Sequence, residues 1–121
     1  LQSDGGAVAA AINATTLALF DAGIPCSDYV VSCTAGHLDK RCLLDLNYEE
    51  ESSGAPLVHI AMTPSNSNIV TTNMTSKMSI EAFEETMKLA LDGCGQIFDL
   101  LKASTKERVL QLHQASHATV E

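Results

Sequence analysis

The last third of the chain carries a long helical repeat of apolar residues, and this repeat restricts the fold more than any other feature. From residue 79 onward, apolar side chains recur at intervals of three and four residues. The members of the repeat are Ile80, Phe83, Met87, Ala90, Leu91, Cys94, Ile97, Phe98 and Leu101. Ser79 stands before them as a suitable N-cap. The pattern predicts an amphipathic helix of about 8 turns or more, with a polar continuation that frays near the end.

Four segments upstream of this helix are predicted to be β-strands. They are rich in β-branched and small residues, or alternate apolar with polar residues. The strands are predicted at residues 29–36, 42–48, 57–62 and 69–74. Turn-forming residues at 38–41 and 64–68 separate neighbouring strands, and the acidic run 49–54 is predicted to be a loop. The sequence therefore predicts a four-stranded antiparallel meander.

Before the strands, residues 7–20 are predicted to form a buried helix. The segment is rich in Ala, lacks Gly and leaves few polar positions for water. Asp4-Gly5-Gly6 is a glycine turn that leads into the helix, while Gly23 and Pro25 end it. The helix is too apolar for the strands alone to cover. We therefore expect an upstream segment or another chain against its outer face.

Size and charge limit the possible functions. The 121 residues fit one domain, and the fifteen acidic against seven basic residues give a formal charge of -8. Such a surface repels phosphate backbones and lacks the basic patch of a self-sufficient nucleic-acid binder. Any RNA contact must draw its Lys and Arg from elsewhere. No apolar stretch reaches the roughly 20 residues that cross a bilayer, so we expect a soluble protein without a membrane partner.

The metal-binding residue types form no recognisable ligand pattern. The four cysteines lie in apolar surroundings without CxxC spacing, and no signal peptide precedes them, which predicts four reduced core thiols in an intracellular protein. Among the histidines, His113 and His117 are four residues apart but lack further ligands. The acids Glu49, Glu50 and Glu51 are more typical of a solvated loop than of a cation site. We predict no metal and no cofactor.

Two blocks of sequence resemble ribonuclease PH-like domains. The first is LQSDGG at residues 1–6, followed by AINATTLAL at 11–19 and DAGIP at 21–25. The second is LLDLNY at 43–48 with Glu50. The resemblance covers nearly the whole chain and implies an α+β fold, half of a ribonuclease PH-like (ribosomal protein S5 domain 2-like) fold. That fold has a four-stranded, mostly antiparallel sheet and two main helices. Residues 1–121 would then be the C-terminal part of one domain whose N-terminal half is absent from this chain.

The same resemblance identifies where a phosphate site would lie. Active members of the family cleave the terminal RNA phosphodiester with inorganic phosphate and read DGGTR at the glycine turn. There, backbone N–H groups at a helix N-terminus act together with the Thr and Arg side chains. In this chain the Thr and Arg positions are Ala7 and Val8. Gly5 and Gly6 are therefore predicted to be a vestigial phosphate-binding turn.

The resemblance also locates the acid. Active members carry two aspartates six residues apart after the second block, one of them proposed as the general acid. Counting from Asp45, these positions fall on Glu51 and Leu57. Glu51 keeps a carboxylate, whereas Leu57 cannot transfer a proton, and Asp45 itself is predicted to be structural. Together with Ala7 and Val8, these residues predict a degenerate site with no catalytic residue.

The favoured hypothesis is a non-catalytic structural subunit of the eukaryotic RNA exosome ring, which helps to form the channel for 3′-to-5′ RNA processing and degradation. Its expected partners are other ribonuclease PH-like ring subunits, with RNA contacted only in the assembled ring. Its expected location is the nucleus, nucleolus and cytoplasm. The alternative is an active phosphorolytic 3′-to-5′ exoribonuclease. A third interpretation is an unrelated ligand or assembly domain in which the Gly-Gly turn is a coincidence.

Overall fold

A computed structural model describes the backbone of residues 2–118 and the side chains of residues 2–116. Within that part of the chain, four strands and three helices follow one another. They are α1 (Ala7–Asp21), β1 (Val31–Leu38), β2 (Arg41–Leu44), α2 (Tyr48–Ser52), β3 (Leu57–Thr63), β4 (Asn68–Met74) and α3 (Ile80–Ala118). The predicted α+β class, with one sheet and two main helices, is confirmed.

The sheet is antiparallel throughout, as predicted, but its strand order is β2-β1-β3-β4. The predicted meander is therefore wrong. After β2 the chain passes through α2 and returns on the other side of β1, so that Gly36 pairs with Leu43 on one side and with Leu57 on the other. β1 is therefore an inner strand with a partner on each edge, and its residues 31–36 are buried.

The core lies between the sheet and α3. Alternate residues of β1 and β3 face one side, because side chains of a strand alternate, and they meet the apolar stripe of α3. The buried members are Val31, Cys33, Ala35, Val58, Ile60, Met62, Ala90, Cys94 and Leu101. The predicted long helix is confirmed, and the N–H of Ala82 donates to the predicted cap Ser79 Oγ at 3.2 Å. Beyond Leu101 no residue of α3 up to 116 is buried, so this part of the helix projects from the core.

Helix α1 forms where it is predicted, but the prediction that it is buried is wrong for this structure. Only Ala9 and Thr16 are buried, and Val8 is 58% exposed. The Asn13 amide attaches the helix to β1: its Nδ2 donates to Ser32 O at 2.9 Å, and Ser32 N–H donates to its Oδ1 at 2.8 Å. These bonds occupy the stretch of β1 that β2 does not pair. The outer face of α1 is left uncovered by the described residues.

The acidic segment after β2 is a short helix and not the predicted loop. Asp45 has φ 57°, which turns the chain and ends β2 at Leu44, before the predicted end at residue 48. Asn47 then caps α2: its side chain accepts from Glu50 N–H at 2.9 Å, while the Glu50 carboxylate accepts from Asn47 N–H at 3.0 Å. This reciprocal capping satisfies two free N–H groups at the helix start.

All four cysteines are free, as predicted, but they are not all core residues. Cys33 and Cys94 are buried, Cys42 is half-buried and Cys26 is exposed, so the prediction of four core thiols is wrong for the last two. Burial raises the pKa of the Cys94 thiol to about 12. Burial also raises the pKa of Cys33. Both thiols therefore stay protonated at neutral pH and are poor nucleophiles.

Two further predictions concern membranes and metals. Within residues 2–118, no helix combines the length and the apolar character that crossing a membrane requires. In the same part of the chain, no three His, Cys, Asp or Glu side chains come together as a metal-binding group. The side chain of His117 lies outside the described residues, so the prediction for the His113 and His117 pair is not tested.

Candidate functional site at the glycine turn

The glycine turn before α1 packs directly against the segment that follows β2. Gly5 has φ 101° and Gly6 has φ 60°. A Cβ on Gly5 would overlap the carbonyl oxygen of Leu46 and lie 2.9 Å from the carbonyl carbon of Asn47. Only glycine combines this backbone conformation with such a close approach. The two sequence blocks that resemble ribonuclease PH-like domains therefore meet at this point.

Three carboxylates surround the turn. Gly6 N–H donates to Glu51 Oε1 at 2.9 Å, and Tyr48 N–H donates to Asp4 Oδ1 at 3.3 Å. Asp45 Oδ1 lies 3.1 Å from the position that a Cβ on Gly6 would take. The first turn of α1 contains no acidic residue of its own, so Glu51 supplies the negative charge that the positive end of the helix dipole favours. The N–H group that would receive an anion is bonded to Glu51.

The short helix α2 explains which acid reaches the turn. Glu50 closes the capping box with Asn47, and Glu49 is exposed. Glu51 is half-buried and extends to Gly6, 45 residues earlier in the chain. The predicted solvated acidic loop is thus a short helix. Its three carboxylates have different roles: Glu50 caps the helix, Glu49 is exposed to water and Glu51 bonds to the glycine turn.

The structure separates the four predicted degenerate positions. Ala7 and Val8 are the first residues of α1, and both are exposed along an apolar depression of that helix. Leu57 is 6% exposed, and one of its methyl groups would lie 2.9 Å from a Cβ on Gly36. It fills apolar space between β1 and the chain after β2. Of the four, only Glu51 has a side chain that hydrogen-bonds to the vestigial turn of Gly5 and Gly6.

Asp45 belongs to the site as well, although the sequence predicts only a structural role for it. Its N–H donates to Thr34 O at 2.9 Å, which is structural, while its carboxylate faces Gly6. Asp45 is also the only charged residue among those that line a cavity of about 360 Å³. The cavity lies between the turn, β1 and α3, with Asn13, Thr34 and Gln96 among its polar lining. The position of Asp45 in the LLDLNY block was the sequence signal that could have assigned Asp45 to the site.

Loss of the Glu51 carboxylate is expected to loosen the site measurably. Glu51→Ala removes a charge-assisted bond to a helix N-terminus and should lower the free energy of unfolding by about 1–2 kcal/mol. Glu49→Ala is the matched control, because it removes the same side chain from the same helix at an exposed position. It should change stability by less than about 0.5 kcal/mol. Urea unfolding at pH 7 measures both, and equal losses would show that the Gly6 contact contributes nothing.

Comparison with known proteins gives a consistent family. Residues 28–93 match the 3′ exoribonuclease family, domain 2. The Arabidopsis thaliana protein named exosome complex component RRP41 homolog is 44% identical over 93% of this chain and 46% of its own length. The Pyrococcus furiosus exosome complex component Rrp41 is 38% identical over 94% of this chain and 46% of its own length. The crystal structure of rice Rrp46 superposes with a TM-score of 0.77 at 26% identity, covering 87% of this chain and 49% of that one.

These comparisons correct one prediction and limit the others. The prediction that the chain is not an enzyme is wrong, because the matching family is one of 3′ exoribonucleases and the similar proteins include an archaeal Rrp41. The chain spans about half the length of the curated relatives that it matches.

Proposed function

The chain belongs to the 3′ exoribonuclease family, domain 2, and on that basis we propose that it acts in 3′-to-5′ RNA processing and degradation as one subunit of an exosome-type ring. The observation that carries the proposal is the arrangement at the glycine turn. There, one backbone N–H at a helix N-terminus lies beside the carboxylates of Asp45 and Glu51. Phosphorolysis of RNA requires a hydrogen-bond donor that binds the phosphate anion and an acid that protonates the departing oxygen.

The chemistry places specific demands on these residues. In phosphorolysis an oxygen of inorganic phosphate attacks the phosphorus of the terminal phosphodiester, and the bond from phosphorus to the 3′ oxygen breaks. The departing oxygen takes a proton, and a nucleoside 5′-diphosphate leaves. In our proposal the phosphate enters as H2PO4⁻ and replaces Glu51 at Gly6 N–H. The released Glu51 carboxylate takes a proton from this phosphate and passes it to the departing 3′ oxygen. Asp45 lies beside the same turn, and in the proposal its carboxylate accepts a hydrogen bond from the remaining P–OH group of the attacking phosphate.

This half of the domain does not supply the positive charge that the reaction needs. Among the described residues that line the cavity beside the turn there is no Lys or Arg, and the ion pair of Arg108 with Asp21 lies at the opposite end of α1. Ala7 and Val8 bring no cation either. The Lys and Arg side chains that neutralise phosphate must come from the other half of the domain or from neighbouring subunits, as the net charge of -8 predicts.

The finer parts of the proposal concern the complex. Its partners are other ribonuclease PH-like ring subunits, and RNA is bound only in the assembled ring. We propose the ring position of exosome complex component four, on the resemblance of the blocks at residues 1–6, 11–19, 21–25 and 43–48. The relatives compared above are named Rrp41 and RRP41 homolog. The location is the nucleus, nucleolus and cytoplasm, which fluorescence imaging of the tagged protein tests directly.

The test is phosphate-dependent degradation of a single-stranded RNA by the full-length protein reconstituted with its ring partners. We expect nucleoside diphosphate to be released only when inorganic phosphate is present. Release of nucleoside monophosphate without phosphate dependence would assign the activity to a hydrolytic nuclease. Absence of both products would refute phosphorolysis, while co-purification of the partners would separately report whether the ring assembles.

A further inference from the structure

A groove at the opposite end of the molecule has no part in the proposed function. It lies between the last turns of α1 and the projecting part of α3, and its volume is about 320 Å³. Its apolar lining comes from Leu17 and Phe20 of α1 and from Val109 and Leu112 of α3. Val109 is 59% exposed and Leu112 is 48% exposed. Two half-exposed aliphatic side chains on the projecting helix thus face an apolar floor.

Other aromatic rings pack behind Phe20, the aromatic residue in the floor of this groove. The ring of Phe20 stacks on Tyr29 with centroids 4.3 Å apart, and Tyr29 meets Phe98 edge-on at 5.4 Å. One edge is fixed by an ion pair, Arg108 Nε to Asp21 Oδ1 at 2.8 Å, which ties α3 to the end of α1. A preformed apolar groove of this kind binds a partner at a small entropic cost, because its walls are already ordered.

Arg108 and Asp21, the two charged residues among the described lining of the groove, neutralise each other, but the segment of α3 beside the groove is basic. Residues 102–108 contain three of the seven basic residues and one of the fifteen acidic residues. Lys106 and Lys102 precede Val109 by one and two helical turns, so helical spacing puts both on the side of α3 next to Val109, just outside the residues that line the groove. The Lys102 ammonium is 5.7 Å from the centroid of the Phe98 ring. A basic edge beside an apolar floor is complementary to a segment that combines acidic and apolar residues.

We propose that this groove docks an acidic amphipathic segment of a protein partner, whose apolar side chains contact Phe20 and Leu112 while its carboxylates meet Lys102 and Lys106. RNA fits less well. Phe20 is the only aromatic residue among the described residues that line the groove, and one face of its ring is stacked on Tyr29, so the groove has no row of aromatic faces for successive bases. Two lysines also neutralise few phosphates. The proposal stands whether or not the glycine turn is catalytic.

The experiment uses a fluorescein-labelled synthetic peptide of about 16 residues with Leu at i, i+3 and i+7 and Glu at most other positions. Its anisotropy is titrated with the full chain. We expect saturable binding with a Kd of about 10–100 µM that weakens as NaCl is raised. Leu112→Asp should weaken binding by about tenfold or more, because it places a carboxylate against an acidic ligand on the groove floor.

The matched control is Leu110→Asp. Leu110 is 53% exposed on the same helix but does not line the groove, so the variant has the same charge and the same helix propensity. It should change the Kd by about twofold at most. Lys106→Glu should weaken binding at low salt and lose its effect at high salt. Circular dichroism verifies that all three variants keep their helix content.

Several outcomes would overturn the proposal. If Leu112→Asp and Leu110→Asp weaken binding equally, the peptide responds to net charge and not to the groove. The same conclusion follows if a peptide of the same composition in scrambled order binds equally well. If binding of the peptide does not saturate, the groove is not a docking site for it. Preference for a single-stranded RNA of equal charge would assign the basic edge to nucleic acid. Self-association that Leu112→Asp abolishes in sedimentation without peptide would make a second copy the occupant.

Discussion

Gly5→Ala is expected to lower the free energy of unfolding by about 4 kcal/mol or more, which is a large part of the stability of a domain this size. The new methyl group would overlap the Leu46 carbonyl oxygen, and the residue would have to keep φ near 101°. Neither the clash nor the strain can be relieved locally, because both involve backbone. Urea unfolding followed by circular dichroism measures the loss. A variant that no longer folds, seen as loss of the cooperative transition, agrees with the same expectation.

Gly54→Ala is the control for backbone strain alone. Gly54 also has a positive φ, 79°, but a Cβ there would meet nothing within 4 Å. Its substitution should cost about 1 kcal/mol. Similar losses for the two variants would mean that the contact between the glycine turn and residues 46–47 is not tight, and the geometry of the candidate site would have to be revised.

Glu51→Gln is expected to reduce nucleoside diphosphate release by the reconstituted complex by about 10²–10⁴-fold. Gln has the same length and keeps an oxygen that accepts from Gly6 N–H, but it cannot give up a proton at neutral pH. The substitution therefore removes the proposed acid while it preserves the contact that positions the side chain. The rate is measured at saturating RNA and phosphate, so that weaker binding does not contribute.

Two comparisons make the Glu51→Gln result specific. Glu49→Gln carries the same change on the same short helix and should leave the rate unaltered, since Glu49 is exposed and outside the turn. Glu51→Gln should lower the free energy of unfolding in urea by less than Glu51→Ala does, because Gln keeps the hydrogen bond to Gly6 and loses only the charge. If Glu51→Gln releases diphosphate as fast as the parent, another group donates the proton, and Asp45 becomes the next residue to replace.

Local patterns were sufficient where one element decides its own structure. The Ala-rich segment before Asp21 and the long repeat after Ser79 are helices in the structure, because side-chain spacing within one element sets which face is apolar. β3 and β4 also lie where alternation and turn residues predict them. The order of the strands was wrong because pairing on both sides of β1 depends on contacts between segments that local patterns do not encode.

The candidate site was only partly accessible from the sequence. Counting along the second block identified Glu51, and the resemblance identified Gly5 and Gly6. Asp45 was assigned a structural role only. The segment of α2 was predicted to be a loop, because a run of acidic residues is typical of loops and the capping box between Asn47 and Glu50 was not recognised in it. The prediction of an inactive chain rested on counting a fixed number of residues from Asp45 and asking whether the residue found there could act in catalysis. The match to an exoribonuclease family overturned it.

The sequence by itself determined the α+β class, the extent of α1 and α3, and the acidic charge that requires cations from elsewhere, because these properties follow from composition and short-range periodicity. Tertiary structure alone decided that a carboxylate of α2 bonds the glycine turn 45 residues away. It also decided that Leu17 and Phe20 of α1 form an apolar groove with Val109 and Leu112 of α3. The reason is physical: a contact between distant segments depends on how the intervening chain folds, and local spacing does not specify that path.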